Sequence, residues 1–104
     1  MTIDEFEASL SAPAAPSGLH LALTALWWDG KGNWERAHEY AQEDESDPTT
    51  AWVHAYLHRK EGDISNAGYW YRRANRPVGG GDLHAEWRSI ATALLASFPP
   101  ETDG

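Results

Sequence analysis

The sequence contains no cysteine. That excludes a disulfide frame, thiol catalysis and a Cys-ligated zinc. It also lacks any apolar run approaching the roughly 20 residues that a helix needs to span a bilayer. The first residues, MTIDEFEASL, are acidic and have neither the basic nor the apolar region of a signal peptide. A cytoplasmic location is therefore the default expectation. Basic residues are scarce. Eight Lys+Arg stand against 16 Asp+Glu, for a formal net charge of −8. Nucleic acid and anionic membrane are not expected as partners, because both need a cationic footprint. Gly79-Gly80-Gly81 has no preceding strand and no GKS/T ending, so it reads as a flexible joint and not as a phosphate loop. Ser17, Ser65 and Ser89 have no placed base. No catalytic residue, enzyme activity, cofactor or resident metal is expected.

What is present is helical. At 104 residues the chain is one small domain, long enough for a core but with little surplus burial. Six Trp is high usage, and most are expected in that core. The stretch from Asp47 to Pro77 organises the rest. Asp47-Pro48 is a helix start, with Asp as cap and Pro at the first helical position. Gly62 suits the left-handed residue that ends a helix. Between them, Ala51, Ala55 and His58 form one line, Trp52 and Tyr56 a second, and Val53 and Leu57 a third. Charge appears only at Arg59, Lys60 and Glu61. A helix apolar almost all round is buried, so 48–61 reads as the central helix. Asp63 caps the next helix, to about Asn75, with Pro77 as stop. Its inner face is Ile64, Ala67, Tyr71 and Ala74. Its outer face is Tyr69, Arg72, Arg73 and Arg76, at i, i+3, i+4 and i+7.

The flanks follow the same logic. Residues 1–18 read as a short helix capped by Thr2, with Ile3, Phe6 and Leu10 on one side, and then a Pro/Ala linker. Ser17 is the expected cap of a helix over about 18–29, facing inward through Leu19, Ala22, Leu23 and Leu26. Asn33 caps a helix to about Glu45, with Trp34, Ala37, Tyr40 and Ala41 inward. Asp82 caps a last helix carrying Leu83, Trp87, Ile90, Ala91, Leu94, Leu95 and Phe98 on one side. The domain spans 19–98, and 99–104 is a tail.

Two segments match at an offset of 30 residues. Gly32-Asn33-Trp34-x-x-Ala37 lines up with Gly62-Asp63-Ile64-x-x-Ala67, Ala25 with Ala55, and Tyr40 with Trp70. Repeats of that length read as stacked helix-turn-helix units, which bury their apolar faces only against neighbours. Gly62, Asp63, Ala67, Trp70, Tyr71 and Ala74 form the pattern Gly-Asp-x-x-x-Ala-x-x-Trp-Tyr-x-x-Ala. It resembles tetratricopeptide-type repeats. The WYRRA stretch is closest to their shorter, WYRKA-containing bacterial relatives. Over 19–77 the chain resembles a small bacterial protein of this type, although its period of 30 differs from the usual value of about 34. The resemblance implies an all-α fold of tandem antiparallel helical hairpins with a C-terminal capping helix. It also implies a non-enzymatic module that binds a protein or peptide. By the same resemblance, Trp52, Tyr56 and Arg59 line the concave groove. Trp, Tyr and Arg are the types enriched at binding hot spots. The other reading is that the N-terminal helix, the C-terminal helix or a second copy of the chain covers them.

Two more constellations carry a sharp and a plain reading. The Tyr69/Arg72/Arg73/Arg76 face offers guanidinium forks to an acidic peptide, a phosphate or another anion. Alternatively it pairs with the equivalent face of the first repeat, Glu39, Gln42, Glu43 and Ser46, at about 0–1 kcal/mol per solvated pair. His54 and His58, at i, i+4, can share a metal or line a small-ligand site. Alternatively both are core residues hydrogen-bonded to neighbours. A structural homodimer, closed through an apolar face the chain leaves uncovered, is the remaining alternative.

Overall fold

The structure, a computed structural model, describes residues 1–99. Apart from Pro99, the expected tail lies outside the described residues. Asp47 Oδ1 accepts the Thr49 N–H at 2.8 Å, and Pro48 occupies the first helical position beside it. A side-chain cap of this kind contributes about 1 kcal/mol. It opens the helix Pro48–Glu61, which ends at Gly62 with φ 92°. Every residue from Thr50 to His58 is buried, so this helix has no wet stripe before its last turn. It is the central element that the apolar wheel implied.

Among the described residues five other helices accompany it. In chain order they are α1 (Ile3–Ala8), α2 (Leu21–Gly30), α3 (Trp34–Gln42), the central α4, α5 (Ile64–Ala74) and α6 (Leu83–Ser97). A 3-10 turn, Ser9–Ser11, follows α1, and no strand occurs among the described residues. The all-α expectation holds. α4 packs most extensively on α5 and also touches α3, α2 and α6. α2 packs chiefly on α3.

The α2–α3 and α4–α5 turns are built alike. Gly32 and Gly62 take φ of 90° and 92°. The next N–H reaches back to a helix carbonyl at 2.9 Å in both, from Asn33 to Trp28 and from Asp63 to His58. The Asn33 and Asp63 side chains then accept the N–H of Arg36 and Asn66 at 3.1 and 3.2 Å. One turn thus closes the first helix with a left-handed Gly and opens the second with an Asx cap.

The ends close over this centre. Trp87 of α6 is buried and donates its indole N–H to the Leu26 carbonyl at 3.0 Å. Ile90, Ala91, Leu94 and Leu95 are buried along the same helix. α1 starts with a capping box between Thr2 and Glu5 and buries Phe6 completely, its ring 5.6 Å from that of Trp87. Trp27 donates to Ser9 Oγ at 2.9 Å, and Arg88 meets Glu7 at 2.7 Å and Asp4 at 3.3 Å. The ion pairs are solvent-facing and weak. Phe6 is the stronger hold.

Several expectations need correction. α2 begins at Leu21 and not near 18, because Gly18 takes φ 81° and turns the chain. Its cap is His20, whose Nδ1 accepts the Ala22 N–H at 3.1 Å, and not Ser17. Phe98 stacks on that imidazole at 3.9 Å and holds it. α3 stops at Gln42, short of Glu45, since Asp44 draws the Ser46 N–H and hydroxyl into a turn. Ile64 is 62% exposed and not on the inner face. It is the first residue of α5, where a side chain leans back beyond the helix start. The Gly79 stretch also has a packing role beyond flexibility. A β-carbon there would collide with the Glu86 carboxylate.

Burial of Phe6 makes α1 part of the core, and this is testable. Phe6→Ala should lower the unfolding free energy of the full chain by about 3–5 kcal/mol. Urea denaturation followed by circular dichroism measures it. A loss under about 1 kcal/mol would show that α1 contributes little.

Candidate functional site

The three residues placed on a concave groove do not share one environment. Tyr56 is buried, and burial lifts its phenol well above the ordinary tyrosine range, with Asp29 and Glu86 adding to the effect. Arg59 Nη1 pairs with Glu86 Oε1 at 2.6 Å, and Nη2 donates to the Gly81 carbonyl. Glu86 Oε2 accepts from the Tyr71 hydroxyl at 2.5 Å. So α6 and the segment before it fold over Tyr56 and Arg59. For Tyr56 and Arg59 the structure fits the reading in which the C-terminal helix covers them, because the chain's own carboxylate already takes the arginine. Trp52 is different. It is 9% exposed and lies at the edge, with the Arg76 guanidinium 3.9 Å above its ring.

The outer face of α5 stays open. Arg72, Arg73 and Arg76 are exposed, and Tyr69 is 44% exposed. Arg73 donates to the Tyr69 hydroxyl at 3.0 Å and to the Glu45 carbonyl at 3.1 Å, with its guanidinium 5.1 Å from the Trp70 ring centre. The expected pairing with Glu39 and Glu43 does not form. Among the described residues, none of these three arginines has a carboxylate partner. Helix spacing places Tyr69, Arg72 and Arg73 together. Arg76, expected on the same helical face, lies past the left-handed Asn75 that ends α5 at Ala74, and the tertiary fold sets it on Trp52 instead.

A second constellation lies between α3 and α4. His54 and His58 are both buried. Their partners are other than tyrosines or backbone carbonyls. His54 Nε2 lies 3.1 Å from Nε2 of His38 on α3. His58 Nδ1 lies 2.6 Å from Glu61 Oε2, and His58 Nε2 lies 3.3 Å from Asn66 Nδ2. Aromatic rings clamp the set. Trp34 stacks on His38 at 4.8 Å, and Trp70 stacks on His54 at 4.0 Å. One ligating atom from each of His38, His54 and His58 can be chosen so that all lie within 4.8 Å of one another. Sequence reasoning missed His38. Its only signal is that Trp34-x-x-x-His38 and His54-x-x-x-His58 are both i, i+4 pairs on helices that follow one another. Their meeting depends on how α3 packs against α4.

A cavity of about 260 Å³ opens between α2, α4 and α6. Asp29, Tyr56, Lys60 and Trp87 line it. Asp29 is buried and pairs with Lys60 at 3.0 Å. Burial raises its carboxyl above the usual range, and the Lys60 hydrogen bond opposes this. The buried Asp29 carboxylate is already taken by the exposed Lys60, so the cavity points to no particular chemistry.

The imidazoles make a pH prediction. Burial, with His38 and His58 adjacent, holds His54 down from 6.5 to about 3. The unfolded chain takes up that proton near 6.5 and the folded chain does so only near 3. Between these values the unfolded state binds more protons, so stability falls as pH drops through the window and is complete above it. His38 shifts in the same direction, mainly through burial. The urea midpoint should therefore fall steadily from pH 7 to pH 5, while nitrogen-15 NMR finds His54 neutral at pH 5. A protonated His54 at that pH would contradict the burial argument.

No family model, no curated protein and no solved structure matches the chain.

Proposed function

We propose that the chain is a non-enzymatic interaction module of the tetratricopeptide type, two helical hairpins in tandem, that binds an acidic peptide or protein segment on the outer face of α5. The observation that carries this reading is the set of three exposed arginines without carboxylate partners among the described residues, in a chain of net charge −8. A guanidinium fork matches a carboxylate in two parallel hydrogen bonds, so an acidic segment supplies what the chain does not.

Two further features support it. Arg76 rests on Trp52 and Arg73 on Tyr69 and Trp70, which restrains the side chains before any partner arrives and lowers the ordering cost. The chain carries a net charge of −8, so an acidic segment is repelled by the whole and attracted where exposed arginines cluster. The tandem-repeat part of the proposal draws on the two like turns and on matched small residues. Ala25 and Ala55 are fully buried, and Ala37 and Ala67 are buried at equivalent places after the turns. Tyr56 and Arg59 take no part.

Fluorescence anisotropy tests this with labelled oligo-glutamate and oligo-lysine peptides in low salt. The chain should bind oligo-glutamate, and added salt should weaken binding. Any binding of oligo-lysine to the acidic remainder of the surface should not weaken when the α5 arginines are reversed. Arg72→Glu combined with Arg73→Glu should weaken it at least about tenfold, equivalent to ~1.4 kcal/mol. Both residues are exposed, so the unfolding midpoint should hardly move. Binding of oligo-glutamate that ignores the charge reversal would overturn the assignment of the face.

A further inference from the structure

We propose that His38, His54 and His58 form a site for one divalent ion of the zinc, cobalt, nickel and copper group, seated between α3 and α4. The site is independent of the peptide-binding reading. The geometry is close to what such an ion needs. In a tetrahedral site with metal–nitrogen bonds of about 2.0–2.1 Å, neighbouring ligand nitrogens are roughly 3.3–3.4 Å apart. The His38 and His54 Nε2 atoms are already 3.1 Å apart. The three ligating atoms all lie within 4.8 Å of one another, so no separation has to close by more than about 1.4 Å. Small ring rotations supply that. The two α4 histidines are one helical turn apart, a spacing that aims both imidazoles at one point.

The donor set selects the ion. Three imidazole nitrogens suit zinc, copper, nickel and cobalt. Calcium and magnesium prefer oxygen, and no oxygen belongs to this triad. Three protein ligands leave a fourth position for water or a further group.

The surroundings resemble a ligand shell more than a satisfied core. His58 Nδ1 faces Glu61 Oε2 at 2.6 Å. A carboxylate there places the ring proton on Nδ1 and turns the Nε2 lone pair toward the cluster. Asn66 Nδ2, 3.3 Å from that Nε2, is a long contact that an ion would displace. Trp34 and Trp70 stack on His38 and His54 and set their ring planes.

The cluster is also unsatisfied as protein alone. His54 is 2% exposed, and its Nδ1 is a buried side-chain polar atom without any partner. The contact between the two Nε2 atoms is one hydrogen bond, so one ring donates and the other accepts. If His54 donates, its Nδ1 carries a bare buried lone pair. If it accepts, its Nδ1–H is a buried donor with nothing to reach. Either tautomer leaves a cost of the order of a lost hydrogen bond, and native interiors seldom carry one. An ion on His54 Nδ1 removes it, whereas an ion on Nε2 fixes the proton on Nδ1 and leaves that donor without a partner.

A second acidic group shares His58 and sets the competing assignment. His58, Glu61 and Asp63 also place ligating atoms within 4.8 Å of one another, but Glu61 and Asp63 are exposed. Glu61 is assigned here as the orienting partner of His58, outside the set that touches the ion.

The test uses the full tag-free chain, freed of metal by chelation, and zinc chloride titrated by calorimetry. One equivalent should bind with a dissociation constant in the micromolar range or below. Cobalt should give the visible absorption of a tetrahedral ion, and copper should quench fluorescence from the stacked Trp34 and Trp70. Zinc should also raise the melting midpoint, because the ion binds the folded state. His38→Gln alters the least buried of the three and should keep the fold. It should cost at least about 100-fold in zinc affinity and remove the tetrahedral cobalt spectrum. Glu61→Gln should cost about 10-fold, in the range that an orienting partner contributes. Absence of one-to-one zinc binding would overturn the proposal. So would binding that survives His38→Gln but is lost in Glu61→Gln, since the ion would then sit on His58, Glu61 and Asp63.

Discussion

Burial of α4 on every side is the constraint from which the rest follows. A helix with no solvent-facing stripe from Thr50 to His58 needs neighbours all round. α5, α3, α2 and α6 supply them. Each neighbour is short and amphipathic at best, and none would hold its shape in water alone. Stability therefore comes from packing against one central rod. α1 then covers what α2 and α6 leave open, through Phe6 against Trp87.

The same constraint explains why the groove residues are not free. Tyr56 and Arg59 lie on the side of α4 that α6 covers. Arg59 is charged and nearly buried, so it must be paired, and Glu86 of α6 provides the partner together with the Gly81 carbonyl. Glu86 in turn accepts from Tyr71, and Gly79 has no side chain in the space that the carboxylate occupies. One carboxylate thus ties α4, α5 and α6 together. What remains outside is the far face of α5, where the arginines have only aromatic rings and a backbone carbonyl beneath them.

Trp70 connects the two places where chemistry concentrates. One face of its ring stacks on His54, and the Arg73 guanidinium lies over the ring as well. An ion among the imidazoles and an anion on the arginines would therefore act on one shared side chain. Any coupling between the two sites would pass through that ring.

Much of the fold was legible in the sequence. Asp47-Pro48, Gly62, Asp63 and Asp82 are local signals, and capping chemistry acts within three or four residues. Helix spacing likewise placed Tyr69, Arg72 and Arg73 together and His54 beside His58, because helix geometry alone sets those neighbours. Arg76 lies beyond the left-handed Asn75 that ends α5, and the fold sets it on Trp52. Boundaries failed where another local signal won, as at Gly18, whose left-handed turn leaves His20 and not Ser17 as the cap of α2, and at Asp44, which turns the chain after α3. Which faces would be covered was decided only by tertiary packing. Glu86 lies 27 residues from Arg59, and His38 lies 16 from His54. No periodicity links residues so far apart. The chain alone thus determined the helices and their faces. The three-dimensional packing decided that the groove is closed, that the arginines stay unpaired by carboxylates, and that a third imidazole completes the pair on α4.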